Sequence, residues 1–167
     1  MSDSALFMNL PFQEAIDFFM LKTGTPTETW DVLWEEAHQR AFTIAGAMEE
    51  ELLEGLRGAV GEAISQGTTL ADFRKRFDSL VDKFGWAYNG GRDWRTRVIY
   101  ETNLSVAYAK GHWDQMTNPH VVKVRPLLRY VGSSSANPRT DHAEWANLVL
   151  PHDHEFWNTH APPNGWG

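Results

Sequence analysis

Apolar residues return every three or four positions through most of the first 84 residues, and glycines or capping residues separate the runs. Phe12, Ala15, Ile16, Phe19 and Met20 share one helical face, with Pro11 suited to the first turn and Gly24 to a stop. Thr25-Pro26-Thr27-Glu28 reads as a capping box that opens a second helix. That helix would bury Trp30, Leu33, Trp34, Ala37, Ala41, Ile44 and Ala45 and end at Gly46. A third carries Leu52, Leu53, Leu56, Val60, Ala63 and Ile64 and ends before Gly67. Its glycines at 55, 58 and 61 each weaken a helix by about 1 kcal/mol relative to alanine, so close packing against a neighbour is expected there. Thr69 and Asp72 cap a fourth helix with the face Leu70, Phe73, Phe77, Leu80, Val81 and Phe84, and Gly85 closes it.

The pattern then changes. Beyond a turn at Asn89-Gly90-Gly91, a long helix is predicted from Asp93 to Met116, with Trp94, Val98, Tyr108 and Ala109 on its buried face and Asn118-Pro119 as its stop. His120 to Val131 is β-like, but Pro126 interrupts it and predicts an edge or bulged strand, or two short strands. From Gly132 onward Ser, Pro, Gly and Asn predict irregular structure with one short helix near Thr140–Asn147. The fold class expected is mainly α with a small α+β C-terminal part. It comprises N-terminal amphipathic helices, one long central helix, a short irregular β segment and a loop module rich in Trp, His and Pro.

Charge follows the same division. Residues 1–90 hold seven Lys/Arg against fifteen Asp/Glu, net −8, whereas residues 91–167 hold eight against seven, net +1. Six of the seven histidines and five of the eight tryptophans lie in the second part. We therefore expect an acidic helical region over 1–90 and a second region over 91–167, packed together as one compact unit. With 167 residues, 42% of them hydrophobic, the chain can bury a core, and a net charge of −7 argues against generic electrostatic binding to nucleic acid. No apolar run approaches the roughly 20 residues a membrane helix needs, and the first residues lack a secretory pattern. There are no cysteines, so thiolate metal sites and disulfides are absent from this sequence.

Two groups of residues carry chemistry that needs weighing. His152, His154 and His160 are weak metal candidates, since loop imidazoles can ligate zinc but no metalloenzyme spacing accompanies them. Arg97, Glu101 and Asn103 on the long helix, with Arg139 and His142, offer an acid–base or phosphoryl-transfer set. On that reading the protein is a nuclease or a nucleotide-using transferase. The structural reading is favoured for both groups: loop histidines that bond the backbone or pack against Trp157, and, on the long helix, a polar network that anchors the loop-rich tail. No phosphate loop or nucleophile elbow supports catalysis.

The tail has a recognisable order. Pro138-Arg139-Thr140-Asp141-His142-Ala143-Glu144-Trp145 is followed by Leu148-Val149-Leu150-Pro151, Phe156-Trp157 and Ala161-Pro162-Pro163-Asn164-Gly165-Trp166-Gly167. Upstream, Pro11-Phe12-Gln13-Glu14-Ala15, Ala41 to Gly46, Gly85-Trp86, Trp94-Arg95-Thr96-Arg97, Thr102-Asn103 and Ala107 to Gly111 fit as well. Together these resemble the phage Mu F-like minor head proteins, the phage head morphogenesis family. The resemblance implies a virion assembly protein, more a docking component than an enzyme, working in capsid assembly near the portal. It also implies a possible part in DNA packaging or delivery. The expected partners are portal or other head proteins, with DNA as an alternative partner and no membrane. The expected location is the virion head, and the bacterial host cytoplasm during assembly. Arg139, His142, Trp145, Trp157, Pro162, Pro163 and Trp166 would form the structural motif of the tail. No cofactor is expected. The family pattern usually continues into a Cys-x-Cys pair, so the resemblance implies that zinc could enter if a cysteine-containing tail follows Gly167.

Overall fold

The computed structural model describes residues 11–28, 41–132 and 139–161 and divides into two compact units, Met1–His112 and Trp113–Gly167. The chain is mainly helical, with a small β part. The glycine turn at residues 89–91 separates two helices inside the first unit, whereas the two units part between His112 and Trp113.

In the first unit, helix α1 (Gln13–Met20) leads to strand β1 (Thr23–Gly24), which pairs in parallel with β2 (Ala41–Phe42). Helices α2 (Glu50–Gln66), α3 (Leu70–Phe84) and α4 (Arg92–Met116) follow. The core takes Ala15 and Phe19 from α1, Phe42 and Ile44 after β1, six apolar side chains from α2 between Leu52 and Ile64, Phe73 and Phe77 from α3, and Ile99 and Ala107 from α4. Two of the predicted stops are left-handed glycines: Gly67 (φ 71°) ends α2 and Gly85 (φ 61°) ends α3. Thr69 and Asp72 form the complete capping box of α3.

Two helix glycines mark close approaches. A Cβ on Gly55 would lie 2.6 Å from Leu80 Cδ2, so α3 seats directly on the α2 backbone. A Cβ on Gly111 would lie 2.7 Å from the Phe12 ring and 2.9 Å from the Ala15 nitrogen, which fixes α1 against α4.

Several expectations are corrected here. Gly24 is not the stop of α1, whose last helical residue is Met20. It belongs to β1, where the Glu54 carboxylate leaves no room for a side chain. Of the second predicted helix, residues 29–40 lie outside the described residues, and Ala41, Ile44 and Ala45 are not helical. Phe42 and Ile44 are buried on alternate positions, the period of a strand, and the Thr25 N–H donates to the Phe42 carbonyl at 3.0 Å. Trp94 and Val98 do not face the core: Trp94 is 59% exposed and Val98 38%. The buried face of α4 is Thr96, Ile99, Ala107 and Gly111, small or polar except for Ile99. Hydropathy cannot find such a stripe.

In the second unit, Asn118 does end the long helix, but it also starts a new one. Its side chain accepts from the His120 N–H at 2.9 Å, and Pro119 opens the single turn α5 (Pro119–Val122). The strand predicted from His120 is therefore shortened to β3 (Leu127–Arg129), which begins just after Pro126. The short helix α6 (Thr140–Glu144) lies where expected. Asn147, at φ 69°, turns the chain into β4 (Val149–Pro151), and α7 (Phe156–His160) follows. β4 and α7 were not expected from the sequence. β3 and β4 are antiparallel, with Leu127 opposite Pro151, Leu128 opposite Leu150 and Arg129 opposite Val149.

Candidate functional site

The polar residues of α4 divide by helical face. Arg97 and Glu101 form an exposed i, i+4 pair at 3.9 Å, with side chains 62% and 60% exposed. Asn103 projects elsewhere, and its amide donates to the Ile99 carbonyl one turn back at 2.8 Å. The three residues thus do not gather into one polar cluster.

Their neighbours tie the first unit together. The Thr96 hydroxyl, fully buried, donates to the Arg92 carbonyl at 2.7 Å and accepts from Arg74 Nε at 3.1 Å. Arg92 grips Asp78 through two bonds of 2.5 and 2.6 Å, and this holds the Asp78 carboxyl below its usual range. Arg95 donates to the Ala45 carbonyl and lies 5.4 Å from the Trp86 ring centre, and Trp86 Nε1 donates to the Gly46 carbonyl at 2.9 Å. Partial burial lowers the Arg95 guanidinium from its ordinary value. Within Trp94-Arg95-Thr96-Arg97, then, the two middle residues latch the β2 loop and α3 onto α4. No sequence pattern signals these roles, because the partners lie about 20 to 50 residues away and one of them is a backbone carbonyl. Lys22 is a further surprise: it is buried, and burial pulls its ammonium down to about 8.

The second unit is built from rings. Tyr130 meets Trp145 and Phe156 edge-on at 5.8 and 6.2 Å. Trp145 lies between His142, stacked at 5.2 Å, and His160, edge-on at 4.4 Å. His160 also stacks on Phe156 at 4.3 Å. Trp157 is buried, faces Trp113 at 6.5 Å and donates from Nε1 to the Pro151 carbonyl at 2.8 Å. That last bond fastens α7 to the end of β4. His142, Trp145 and Trp157 are therefore parts of the ring packing.

Arg139 occupies the N-cap position of α6, is exposed, and accepts from the Ala143 N–H through its carbonyl at 3.0 Å. Pro162, Pro163 and Trp166 lie outside the described residues. The candidate metal ligands separate into different tasks. The His152 N–H donates to the Pro126 carbonyl at 3.0 Å, and His154 Nδ1 accepts from the Phe156 N–H at 3.1 Å. His160 Nδ1 lies 3.0 Å from the Phe156 carbonyl and 2.7 Å from the Thr159 hydroxyl. Among the described residues no group of three His, Asp or Glu side chains is placed to hold a metal ion.

This arrangement is a scaffold with ring-packed loops, and the same tail residues that fix it carry the family resemblance. The profile of the family described as Phage Mu protein F like protein matches residues 54–167. The chain belongs to that family. A protein of Escherichia phage Mu named for capsid assembly, protein F, is 33% identical over 178 aligned positions, covering 98% of this chain and 40% of the relative. The FluMu F protein of a Mu-like prophage in Haemophilus influenzae is 34% identical over 152 positions, covering 84% of this chain and 36% of the relative. The F-like chain thus spans about two fifths of the length of these curated relatives. No solved structure matches it. Among the described residues, no helix of this F-like chain is long and apolar enough to cross a membrane.

Proposed function

We propose that this F-like chain works in head assembly of a Mu-like phage or prophage, as a docking component placed near the portal and not as an enzyme. The observation that carries the reading is the alignment of nearly the whole chain with a phage Mu protein named for capsid assembly. The roles of the polar residues are in keeping with it: the buried ones, Thr96 and half-buried Arg95, hold the scaffold, and Asn103 bonds its own helix. The chain would act in the host cytoplasm during assembly and remain in the head, with packaging or delivery of DNA as the step it serves there.

The test is co-expression with the portal protein of the same phage or prophage, followed by size-exclusion chromatography. Co-elution in a defined complex is the expected result. Separate elution of two folded proteins would remove portal docking.

A further inference from the structure

The β3–β4 ribbon has an inner and an outer side. Leu128, Tyr130 and Leu150 point inward and are buried or half-buried. The outer side carries Leu127 (56% exposed), Val131 (72%) and Val149 (50%), and Val124 (77%) lies just before the strand. Single exposed apolar residues mean little, but three on or beside one short ribbon with a fourth just ahead of it form a strip.

The free edge adds a second property. On either side of β3, bonds toward the β4 strand fall on alternate positions: the Pro126 carbonyl accepts from the His152 N–H, the Tyr130 N–H donates to the Leu148 carbonyl, and the Tyr130 carbonyl accepts from the Asn147 N–H, with Leu128 opposite Leu150 between them. The N–H and C=O groups of Leu127 and Arg129 therefore face away from β4. The sheet has only these two strands among the described residues. The β4 edge is different, since Trp157 Nε1 and the His154 N–H both donate to the Pro151 carbonyl.

Charge supplies the third. Residues 120–132 contain Lys123, Arg125 and Arg129 and no acid, in a chain of net charge −7. All three are exposed, and none has an ion pair among the described residues. Cations on an edge strand repel a second copy of the same edge. They favour a strand of opposite charge.

We infer that the open edge of β3 takes an extended acidic–apolar segment of a protein partner as a third strand. Backbone bonds to Leu127 and Arg129 would supply the register, Val131 and Leu127 the apolar contacts, and Lys123, Arg125 and Arg129 the charge match. This inference stands apart from the head-assembly reading, because its test needs no phage protein.

The probe is a fluorescein-labelled octapeptide of alternating Glu and Val, titrated against the full chain by anisotropy. Saturable binding that weakens as salt rises is expected. A peptide with Pro at a central Val, which cannot donate to the strand ladder, should bind at least about tenfold more weakly. So should the native peptide to the R125E/R129E chain, checked for an unchanged melting temperature. A Lys–Val octapeptide and a DNA duplex of about two helical turns should not displace the probe. Absence of binding overturns the inference. Equal affinity for the Pro peptide would reduce it to loose ion attraction, which also overturns it. Displacement by the duplex at physiological salt would make the strip a nucleic-acid face, with the same consequence. The Pro-peptide arm keeps the test decisive even if the charge-reversed chain fails to fold.

Discussion

The two units reach order by different means. The first buries long helical faces, and its fully buried side chains include Phe19, Phe42, Phe73, Phe77 and the leucines of α2. The second has helices of five residues or fewer after α4, yet it buries Tyr130 and Trp157 and holds its loops by ring-to-ring contact and indole hydrogen bonds. Helices as short as α5, α6 and α7 have no stability of their own in water. The comparison teaches that large aromatics substitute for regular structure, since one ring buries about 150–250 Å² whatever the backbone around it does.

The sharpest way to test this is to delete one ring from each unit. Phe77 is fully buried and meets Phe73, Trp86 and Tyr88 at 6.4, 5.9 and 5.2 Å. Phe77→Ala should cost about 3–5 kcal/mol in urea unfolding. Trp157→Ala should cost a similar amount, about 3–4 kcal/mol, if rings carry the second unit. A loss below about 1 kcal/mol would show that its backbone hydrogen bonds suffice. Trp157→Phe keeps a ring but removes the bond to Pro151 and part of the buried indole, so a smaller loss of about 1–2 kcal/mol is expected.

The glycines of α2 offer a smaller test with opposite signs. A methyl added at Gly58 would meet nothing within 4 Å, so Gly58→Ala should stabilise by up to about 1 kcal/mol. Gly55→Ala drives a methyl into Leu80, and the overpacking should outweigh the helix gain, for a net loss of about 1 kcal/mol. Thermal melts of the two variants would shift in opposite directions. A gain at both sites would mean that α3 is free to move off α2.

Much of the first unit was legible because its signals are local. Thr69, Asp72, Gly67 and Gly85 act within one turn of themselves, and the apolar faces of α2 and α3 repeat at the helical period. What escaped depends on distant partners. Ala41–Phe42 contains a helix former, but β1 captures it as a strand. The buried stripe of α4 is small because α1 comes so close at Gly111. In the second unit His142, Trp145 and Trp157 join a ring packing that depends on a β4 and α7 that have no periodic signal. Arg97, Glu101 and Asn103 look like a site in sequence, but the helix turns Asn103 away from the other two.

The smallest expected effect separates the units by pH. Glu54, Asp72 and Asp78 all titrate below their usual range, held there chiefly by side-chain hydrogen bonds from Arg57, Thr69 and Arg92 respectively, and all three belong to the first unit. A carboxyl that is more acidic when folded adds stability above its unfolded value, about 4, and loses it as pH falls through the folded value. The first unit should therefore weaken below about pH 4. Asp78→Asn removes one of these contributions. The Asp78–Arg92 pair is more than two fifths exposed, so solvent screening limits the loss at pH 7 to about 0.5–1 kcal/mol. Hydrogen exchange followed by segment at about pH 7 and about pH 3.5 would read both effects. The variant should lose protection in α3 and α4 at neutral pH and differ less from the parent at the acidic point, where Asp78 is closer to protonation in the parent too. An equal deficit at both pH values would mean that Asp78 contributes through packing and not through its charge.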